Sequence, residues 1–406
     1  MTLQIAPKNK ILSSFGIGTY ILAALTLLGV VLVILRGISG LGASTALSDG
    51  RGWGIWIGFD VVCGIALAAG AFTIAAVVYI FQLKDYYPIL RPTVLTGFIG
   101  YSLAGLSVII DLGYPQRFWH MLFHWNIHSP LFEVAICVMT YATVLGLEIS
   151  PIVFERFNMK VPLRIIRAIT IPLVIFGIVL STCHQSSLGT LFTLMPHRVH
   201  PLWYSKILPV LFLLSAVGAG LAMVIMESTL SSLGLDHKLE LKQLGKIASA
   251  IPYVLGLYLL IKIVDMIAAG DLKYLFAPGF PTVLFWIEII VGYILPIILL
   301  SMPAVRKKKY SLFSCSLLVI LGLLLNRMSI SLFIFNGAPY WPSWQELFIS
   351  IGLVSGGTLV FILASRNLSV FPIHEEHKSH KWDAIGEKQT VEKLSGKVLS
   401  PQSSGH

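Results

Sequence analysis

Ten apolar runs, each about 20 residues long, follow one another along the chain. A run of this length crosses the hydrocarbon core of a bilayer as a single α-helix. The runs are 16–36, 55–82, 94–111, 130–153, 164–183, 202–229, 248–268, 282–304, 311–332 and 345–365. Only 12% of the 406 residues are charged, whereas a soluble domain carries roughly 25%. We therefore predict an all-α polytopic membrane protein whose residues 16–369 form ten transmembrane helices.

Basic residues are divided unevenly between the two sets of loops. The segment before the first run and the loops after even-numbered runs hold fifteen: Lys8, Lys10, Lys84, Arg91, Arg156, Lys160, Arg164, Arg167, Lys238, Lys242, Lys246, Arg306, Lys307, Lys308 and Lys309. The loops after odd-numbered runs hold six: Arg36, Arg51, Arg117, Arg198, Lys206 and Lys273. Because cytoplasmic loops carry the excess of Lys and Arg, both termini are expected in the cytoplasm.

The ends of the chain complete the predicted organisation. Residues 1–15 are expected to be a short cytoplasmic segment, and residues 370–406 a polar cytoplasmic tail that is disordered because it has few apolar side chains. The first run lacks a small-residue cleavage site, so we predict an anchor and not a cleaved signal. The net charge of +10 follows from this topology, and no nucleic-acid partner is expected.

The second and sixth runs resemble each other. Each has an aromatic start, a middle rich in Gly and Ala, and a polar end. Small residues of this kind allow close helix packing in lipid. The similarity predicts two four-helix bundles, formed by runs two to five and six to nine and flanked by the first and tenth.

The four cysteines are Cys63, Cys137, Cys183 and Cys315, and none belongs to a C-x-x-C pair. An iron–sulfur cluster needs about four thiolate ligands, so no cluster is expected in this chain. All four lie in or beside apolar runs, where we expect small, buried side chains.

Ionisable residues inside apolar runs are costly and point to function or to helix pairing. Counting along the runs places Asp60, Asp111, Glu133 and His184 at one depth, near the odd-numbered loops, with the fifth helix ending at His184. Four further residues in the second half are expected to form ion pairs that join helices: Lys262, Asp265, Glu288 and Arg327.

The loop 113–129 is apolar and aromatic and is expected to lie along the membrane interface. It carries His120, His124 and His128. No carboxylate or thiolate side chain stands at a spacing from them that would complete a metal site. A b-type haem needs histidines on facing helices, and His184, at the end of the fifth run, is the one histidine placed in a predicted helix. We therefore expect neither haem nor metal.

An amphipathic quinone suits the polar residues near the odd-numbered loops. Its tail would lie in lipid, and its reduction needs two protons, for which Glu133 and His184 are apt donors. Gln185 follows His184 in the sequence and is suited to hydrogen-bond with the quinone head. A stripe along the fourth run, formed by Glu133, Thr140, Tyr141 and Glu148, is a candidate proton path; alternatively, Glu148 pairs with an interfacial arginine, Arg156 or Arg164.

Several motifs resemble the HybB-type membrane subunits of periplasmic nickel–iron hydrogenases, within the broader NrfD and polysulfide-reductase membrane-subunit family. They are "RPTVLTGFIGYSLAGLSVIIDLG" (91–113), "HSPLFE" (128–133), "TCHQSSLGTLF" (182–192), "VHPLWYS" (199–205) and "FWIE" (285–288). The resemblance spans roughly residues 50–365, and the motif at 184–192 is its most specific part.

This resemblance implies a haem-free, quinone-reactive subunit in the bacterial inner membrane, using menaquinone or ubiquinone as substrate. Coupling of quinone turnover to proton translocation is a further hypothesis. It implies a periplasmic ferredoxin-like iron–sulfur partner and hydrogenase large and small subunits, or cytochrome or molybdopterin subunits in their place. The family's important polar residues fall on Tyr101, Glu133 and His184, with Asp111 beside them.

Two readings from other classes stay open on the sequence alone. The internal repeat and buried charges are also found in secondary transporters, although these usually have helices broken near the middle of the membrane. A purely structural anchor is the second alternative, and it leaves the intramembrane carboxyl and imidazole groups without a role.

Overall fold

The computed structural model describes residues 16–235, 237–336 and 340–371. The predicted N-terminal segment and the predicted tail beyond residue 371 lie outside these ranges. Ten helices in the described ranges are long and apolar enough to cross a membrane, which confirms the predicted fold class. We number them as spans 1 to 10: Ile17–Ser39, Trp56–Ile80, Lys84–Asp111, Pro130–Arg156, Lys160–Thr193, Leu208–Gly234, Leu241–Ala269, Phe280–Ser301, Lys309–Phe333 and Trp344–Asn367.

Contacts at the span ends define two sides of the molecule. On one side, Arg198 Nη1 donates to the carbonyls of Gly50 at 3.1 Å and Asn336 at 3.2 Å, which joins the loops after spans 1, 5 and 9. On the other side, Arg91 near the start of span 3 pairs with Glu155 at the end of span 4, at 3.1 Å. We call these the odd-loop side and the even-loop side.

The spans form the two predicted bundles. Spans 2 to 5 pack together, spans 6 to 9 pack together, and spans 1 and 10 pair with each other, with span 10 also packing against span 3. Span 6 joins the bundles by packing against spans 2 and 5. This arrangement places spans 2 and 6, the two runs with similar sequences, in contact at the centre of the molecule.

The central contact between the bundles is made by glycine backbones. A Cβ atom built on Gly220 of span 6 would lie 2.4 Å from the backbone nitrogen of Gly70 and 2.7 Å from the carbonyl carbon of Ala69 in span 2. Real Cβ atoms do not approach backbone this closely, so glycine is required at Gly220. The small-residue middles predicted for close packing therefore meet each other.

Span 2 is interrupted near its middle. Its regular α-helix stops at a turn formed by Ala68 and Ala69 and resumes at Gly70. The amide of Ala69 bonds to the carbonyl of Ala66, three residues back, at 3.3 Å. Backbone that departs from α-helix within a membrane must find partners inside the protein.

Span 5 is longer than predicted. The expectation that the fifth helix ends at His184 is wrong, since the helix continues to Thr193. Ser187 Oγ donates to the carbonyl of Cys183 at 2.8 Å, and Thr190 Oγ1 donates to a carbonyl four residues back at 3.1 Å. Hydroxyl side chains that bond to their own helix stay within it, so the polar stretch does not end the helix.

Candidate functional site

Five side chains meet inside the first bundle, and we call them the His184 cluster: Tyr101, Tyr141, Ser181, His184 and Gln185. All are 0% exposed except Tyr141, at 1%. The Tyr101 ring meets Tyr141 edge-on with 4.5 Å between centroids and lies 5.6 Å from the His184 ring. The Tyr101 hydroxyl is 3.4 Å from Ser181 Oγ. The fold thus brings together three predicted quinone-site residues and one from the predicted proton path.

The His184 imidazole is buried with neither nitrogen hydrogen-bonded to a described residue. Buried polar groups are nearly always paired, because an unpaired one costs about 1–3 kcal/mol. An imidazole in this state is available to the hydrogen-bonding group of a ligand. His184 is therefore the member of the cluster with two ring nitrogens left to bond with a ligand or water.

Gln185 connects the cluster to the interruption in span 2. Its Nε2 donates to the carbonyl of Ile65 at 3.1 Å. This carbonyl lies one turn before Ala69, whose amide bonds to Ala66 instead. The side chain of Gln185 thus supplies a partner for backbone that the irregular turn leaves without its usual one.

Glu133 lies at the edge of the site, in the first turn of span 4, and is exposed at the side of the bundle. Ser187 Oγ donates to its Oε1 at 2.5 Å. Ser187 follows His184 by three residues, which corresponds to about 4.5 Å along the helix. The carboxylate is therefore exposed at the surface of the bundle, while the imidazole one turn deeper is enclosed.

One cysteine departs from its predicted environment at this edge. Cys183 is exposed, whereas Cys63, Cys137 and Cys315 are buried. The expectation that all four are buried is wrong for Cys183, because it lies on the outward face of span 5 beside buried His184. Apolar surroundings in sequence do not distinguish contact with protein from contact with lipid.

Asp60 and Asp111 contact spans 1 and 10 and not the His184 cluster. Ser350 Oγ of span 10 donates to Asp60 Oδ2 at 2.5 Å. Asp111 ends span 3 and interacts electrostatically with Arg36 of span 1, which also donates to the carbonyl of Leu112. The four groups predicted to meet at one level are therefore divided between two places. Depth follows from residue counting, but the direction of each side chain depends on helix rotation and packing.

The predicted proton path follows one side of span 4. Tyr141 belongs to the His184 cluster, and Glu148 lies nearer the even-loop end. Both lie against Gly177 of span 5, where a built Cβ would be 3.3 Å from Tyr141 Cε2 and 3.6 Å from Glu148 Oε1. Thr140 is half-buried beside Tyr141. The absence of a side chain at Gly177 leaves room for the tyrosine and the carboxylate.

Within the described ranges, Glu148 has no ion pair with Arg156 or Arg164. The carboxylate that pairs with basic side chains at this end of span 4 is Glu155, which binds Arg91. The alternative role considered for Glu148 is thus taken by a residue two turns farther along the helix.

Glu288 of span 8 is the centre of a buried network in the second bundle. Its Oε2 accepts a hydrogen bond from Trp203 Nε1 at 2.7 Å, and its Oε1 accepts one from Asn326 Nδ2 at 2.8 Å. Arg327 Nη1 donates to Asn326 Oδ1 at 2.9 Å. Sequence reasoning missed Trp203 and Asn326, although Trp203 belongs to the quoted motif at 199–205.

The prediction of direct ion pairs in this region is wrong. No salt bridge in the described part of the chain joins any two of Lys262, Asp265, Glu288 and Arg327. Arg327 Nη2 donates to the carbonyl of Phe212 at 3.0 Å and to Ser215 Oγ at 2.8 Å. Neutral groups thus bond to the Glu288 carboxylate and to Arg327 Nη2. This avoids a direct contact between two desolvated charges, whose attraction often fails to repay the cost of desolvation.

A network of loop contacts covers the odd-loop side. Arg51 Nη1 donates to the carbonyl of Phe335 at 2.8 Å, and burial lowers the pKa of Arg51 while Tyr340 opposes the shift. The Tyr340 hydroxyl donates to Glu346 Oε1 and accepts from the Ile55 amide, both at 2.8 Å. Burial and the bond to Glu346 raise the pKa of Tyr340. The hydroxyl therefore stays protonated at neutral pH and keeps both contacts.

Residues 44–334 match the family described as polysulphide reductase, NrfD. The chain belongs to the NrfD family. This confirms the resemblance found in its motifs.

Relatives in the NrfD family cover almost the full length of the chain. A protein of Nitratidesulfovibrio vulgaris whose name states no activity is 38% identical over 398 residues, 93% of this chain and 99% of the relative. The probable Ni/Fe-hydrogenase 2 b-type cytochrome subunit of Escherichia coli is 34% identical, covering 90% and 95%. The menaquinone reductase integral membrane subunit of N. vulgaris is 33% identical, covering 83% and 87%.

The name of the E. coli relative raises the question of haem in this NrfD-family chain. A haem held by two histidines needs them on facing helices, and His184 is the one histidine within the ten described spans. The described residues contain no group of three or more His, Cys, Asp or Glu side chains arranged for a metal ion. The donor set therefore does not fit a haem with two histidine ligands.

We expect the purified chain to contain no stoichiometric haem b, because a second axial histidine is missing from the described spans. A pyridine haemochrome spectrum of the isolated protein measures this directly. A b-type cytochrome purified from the same membranes serves as the positive control. A spectrum equivalent to one haem per chain would contradict the expectation.

Proposed function

We propose that this chain is the quinone-reactive membrane subunit of a respiratory oxidoreductase complex. The observation that supports this best is the pairing of Glu133, which is exposed at the side of the bundle, with His184, which is enclosed one turn deeper and has no hydrogen-bond partner among the described residues. An amphipathic quinone matches this edge, with its tail in lipid and its head at the carboxylate. A relative named as a menaquinone reductase membrane subunit supports the same ligand class.

Glu133 and His184 supply the protons in this proposal. Reduction of a quinone takes two electrons and two protons, and positioned acids of this kind accelerate such steps. Glu133 contacts the head directly, held by Ser187, and His184 supplies protons from behind it. Tyr101 and Gln185 position the imidazole. Asp111 is the member of the predicted quinone set that lies outside this arrangement.

The electrons come from a partner, since the thiolates of this chain do not form a cluster site. We propose that this chain lies in the inner membrane with both of its termini in the cytoplasm and its odd-loop side facing the periplasm. A ferredoxin-like iron–sulfur subunit would bind on that odd-loop side. The excess of Lys and Arg on the even-loop side supports this orientation. Because of the similarity to the E. coli hydrogenase relative, we favour a nickel–iron hydrogenase as the catalytic partner.

Other catalytic partners remain the alternative within the family. Two more distant relatives are named for other reductases: one belongs to a selenate reductase, at 25% identity, and one is a putative membrane subunit of a dimethyl sulfoxide reductase, at 23%. A cytochrome or molybdopterin partner would use the same quinone site, because the site lies within this chain.

The stripe along span 4 is proposed as a proton path to the quinone. Glu133 and Glu148 are fifteen residues apart, or about 22 Å along a helix, and Tyr141 lies between them in the His184 cluster. Protons taken up at Glu148 from the even-loop side would cross much of the membrane. If the electrons enter from the odd-loop side, this uptake makes turnover generate a membrane potential.

Besides the internal repeat and the buried charges, the transporter alternative has one further supporting feature, the interruption of span 2 near its middle. Transporters use such interruptions to coordinate ions with free carbonyls. Here the carbonyl of Ile65 is already occupied by Gln185. The interruption therefore serves contact with span 5, and the quinone function is favoured.

Photolabelling with an azido-quinone tests the proposed site in the full complex. We expect labelled peptides from span 4 around Glu133 and from span 5 around Ser187, because these residues meet at the lipid-facing edge. Unlabelled menaquinone should suppress the labelling. Competed labelling confined to the second bundle around Glu288 would place the quinone elsewhere and contradict the proposal.

A further inference from the structure

A small cavity lies between the two bundles, on the even-loop side of the His184 cluster. It is lined by Ala68 of span 2, Thr96 and Gly97 of span 3, and Gly220 and Glu227 of span 6, among others. Its empty space is about 190 Å³, including the part that opens to the surroundings. The enclosed part suits about one water molecule.

Two polar atoms of the lining have no partner among the described residues. They are Glu227 Oε2 and Thr96 Oγ1. Glu227 is 7% exposed, and its other oxygen, Oε1, accepts a hydrogen bond from Ser231 at 3.0 Å. Apolar cavities stay dry, whereas a cavity with several unpaired polar groups holds water. The lining therefore favours a bound water beside a buried carboxyl group.

The cavity is adjacent to the His184 cluster along two helices. Gly97 precedes Tyr101 by four residues, about 6 Å along span 3. Ala68 follows Ile65 by three residues, and the Ile65 carbonyl holds Gln185. The interruption of span 2 lies at the cavity itself. One helical turn thus separates the cavity from both Tyr101 and Gln185.

The cavity is also connected toward the even-loop side. Glu227 lies seven residues before Gly234, where span 6 ends, or about 10 Å from that end. Ser231 and Ser232 lie between, and Lys309 Nζ donates to Ser232 Oγ at 3.2 Å. Polar side chains therefore continue from Glu227 to the end of the span.

We propose that Glu227 and this cavity form a second proton inlet, separate from the stripe on span 4, that leads from the even-loop side to Tyr101 and His184. The Glu227 carboxyl group is protonated at rest, passes its proton to the cavity water, and is then reprotonated at Oε2 from the even-loop side. The water passes the proton on past Thr96 toward Tyr101. The use of these protons rests on the proposed function: two of them, with two electrons from the iron–sulfur partner, convert quinone to quinol.

Infrared difference spectroscopy of the full chain tests the site without turnover. We expect the C=O band of a protonated carboxyl group that disappears in Glu227→Gln, shifts in Thr96→Val and responds to exchange into D2O. Glu240→Gln is the matched control, because Glu240 precedes span 7 and does not line the cavity. A spectrum unchanged by Glu227→Gln, or a Glu227 band insensitive to both Thr96→Val and D2O, would overturn the inference.

Turnover of the reconstituted complex tests the route itself. Because the span 4 stripe provides a parallel path, we expect Glu227→Gln alone to lower quinone-linked turnover about two- to threefold. In a Glu148→Gln background the same change should lower it by a further factor of about ten or more. Glu240→Gln should have no effect in either background. Turnover that Glu227→Gln leaves unchanged in both backgrounds would overturn the inlet.

These measurements separate the inlet from the proposed function. Absence of quinone turnover in the wild-type complex would contradict the quinone function, while the infrared bands would still decide whether Glu227 is a water-linked acid. Dye-linked activity of the partner subunits reports assembly and identifies any variant that fails to assemble. If Glu227→Gln fails to assemble, the infrared spectrum of Thr96→Val, which keeps the shape of the side chain, decides whether Glu227 is linked to the cavity water.

Discussion

Glu133→Gln is expected to lower quinone-linked turnover of the complex by about 10²-fold or more, the scale at which a general acid contributes. The amide keeps the size of the side chain, and its oxygen still accepts the hydrogen bond from Ser187, so the fold is preserved. His184→Phe should have a similar effect, since it keeps a ring against Tyr101 and removes the imidazole. Quinone turnover and dye-linked partner activity are measured on the same preparation.

Two matched variants control this experiment. Glu240→Gln repeats the substitution of Glu133→Gln outside the site. His124→Phe repeats the substitution of His184→Phe on the loop between spans 3 and 4. Both should retain wild-type turnover. If Glu133→Gln and His184→Phe also retained it, the quinone site would have to be placed elsewhere. If they abolished assembly, the residues would be structural.

Gly220→Ala is expected to destabilise the protein by about 1–3 kcal/mol, the usual cost of overpacking. The new methyl would lie 2.4 Å from the backbone nitrogen of Gly70, and backbone on both sides leaves no side chain to move aside. The two bundles must separate to admit it. The transition temperature of the purified chain in detergent, followed by intrinsic fluorescence, measures the effect.

Gly256→Ala is the matched control for this change. Gly256 lies in span 7, and a Cβ built there meets nothing within 4 Å. In such a position alanine is a better helix former than glycine by about 1 kcal/mol, so the control should be neutral or stabilising. Equal transition temperatures for the two variants would show that the bundle contact yields more easily than the structure indicates.

The number of spans and their approximate limits could be predicted from the sequence because bilayer thickness imposes a minimum apolar length on each helix. The bundle arrangement followed from the Gly-rich and Ala-rich middles of spans 2 and 6, since small residues mark close contacts in lipid. Glu133 and His184 stood out because ionisable groups in apolar runs are rare.

What the sequence could not provide was the direction in which side chains face. Asp60 and His184 were predicted to converge, but Asp60 bonds to Ser350 of span 10 while His184 packs against Tyr101. Each residue of a helix is rotated by about 100° from the last. An error of one residue in the assumed rotation of a helix therefore points a side chain at a different neighbour. Only packing between spans fixes that angle.

Partners distant in sequence were likewise decided by tertiary structure alone. The hydrogen bonds from Trp203 and Asn326 to Glu288 join residues 85 and 38 positions apart, and no local pattern marks them. The same holds for the Glu227 cavity, which lies where spans 2 and 6 approach through Gly70 and Gly220 and span 3 approaches through Gly97. Composition and periodicity determined that this chain is a bundle of helices in lipid, because the hydrophobic effect acts on each segment separately. The contacts between segments determined which buried groups meet, because close packing and hydrogen bonding depend on all of them at once.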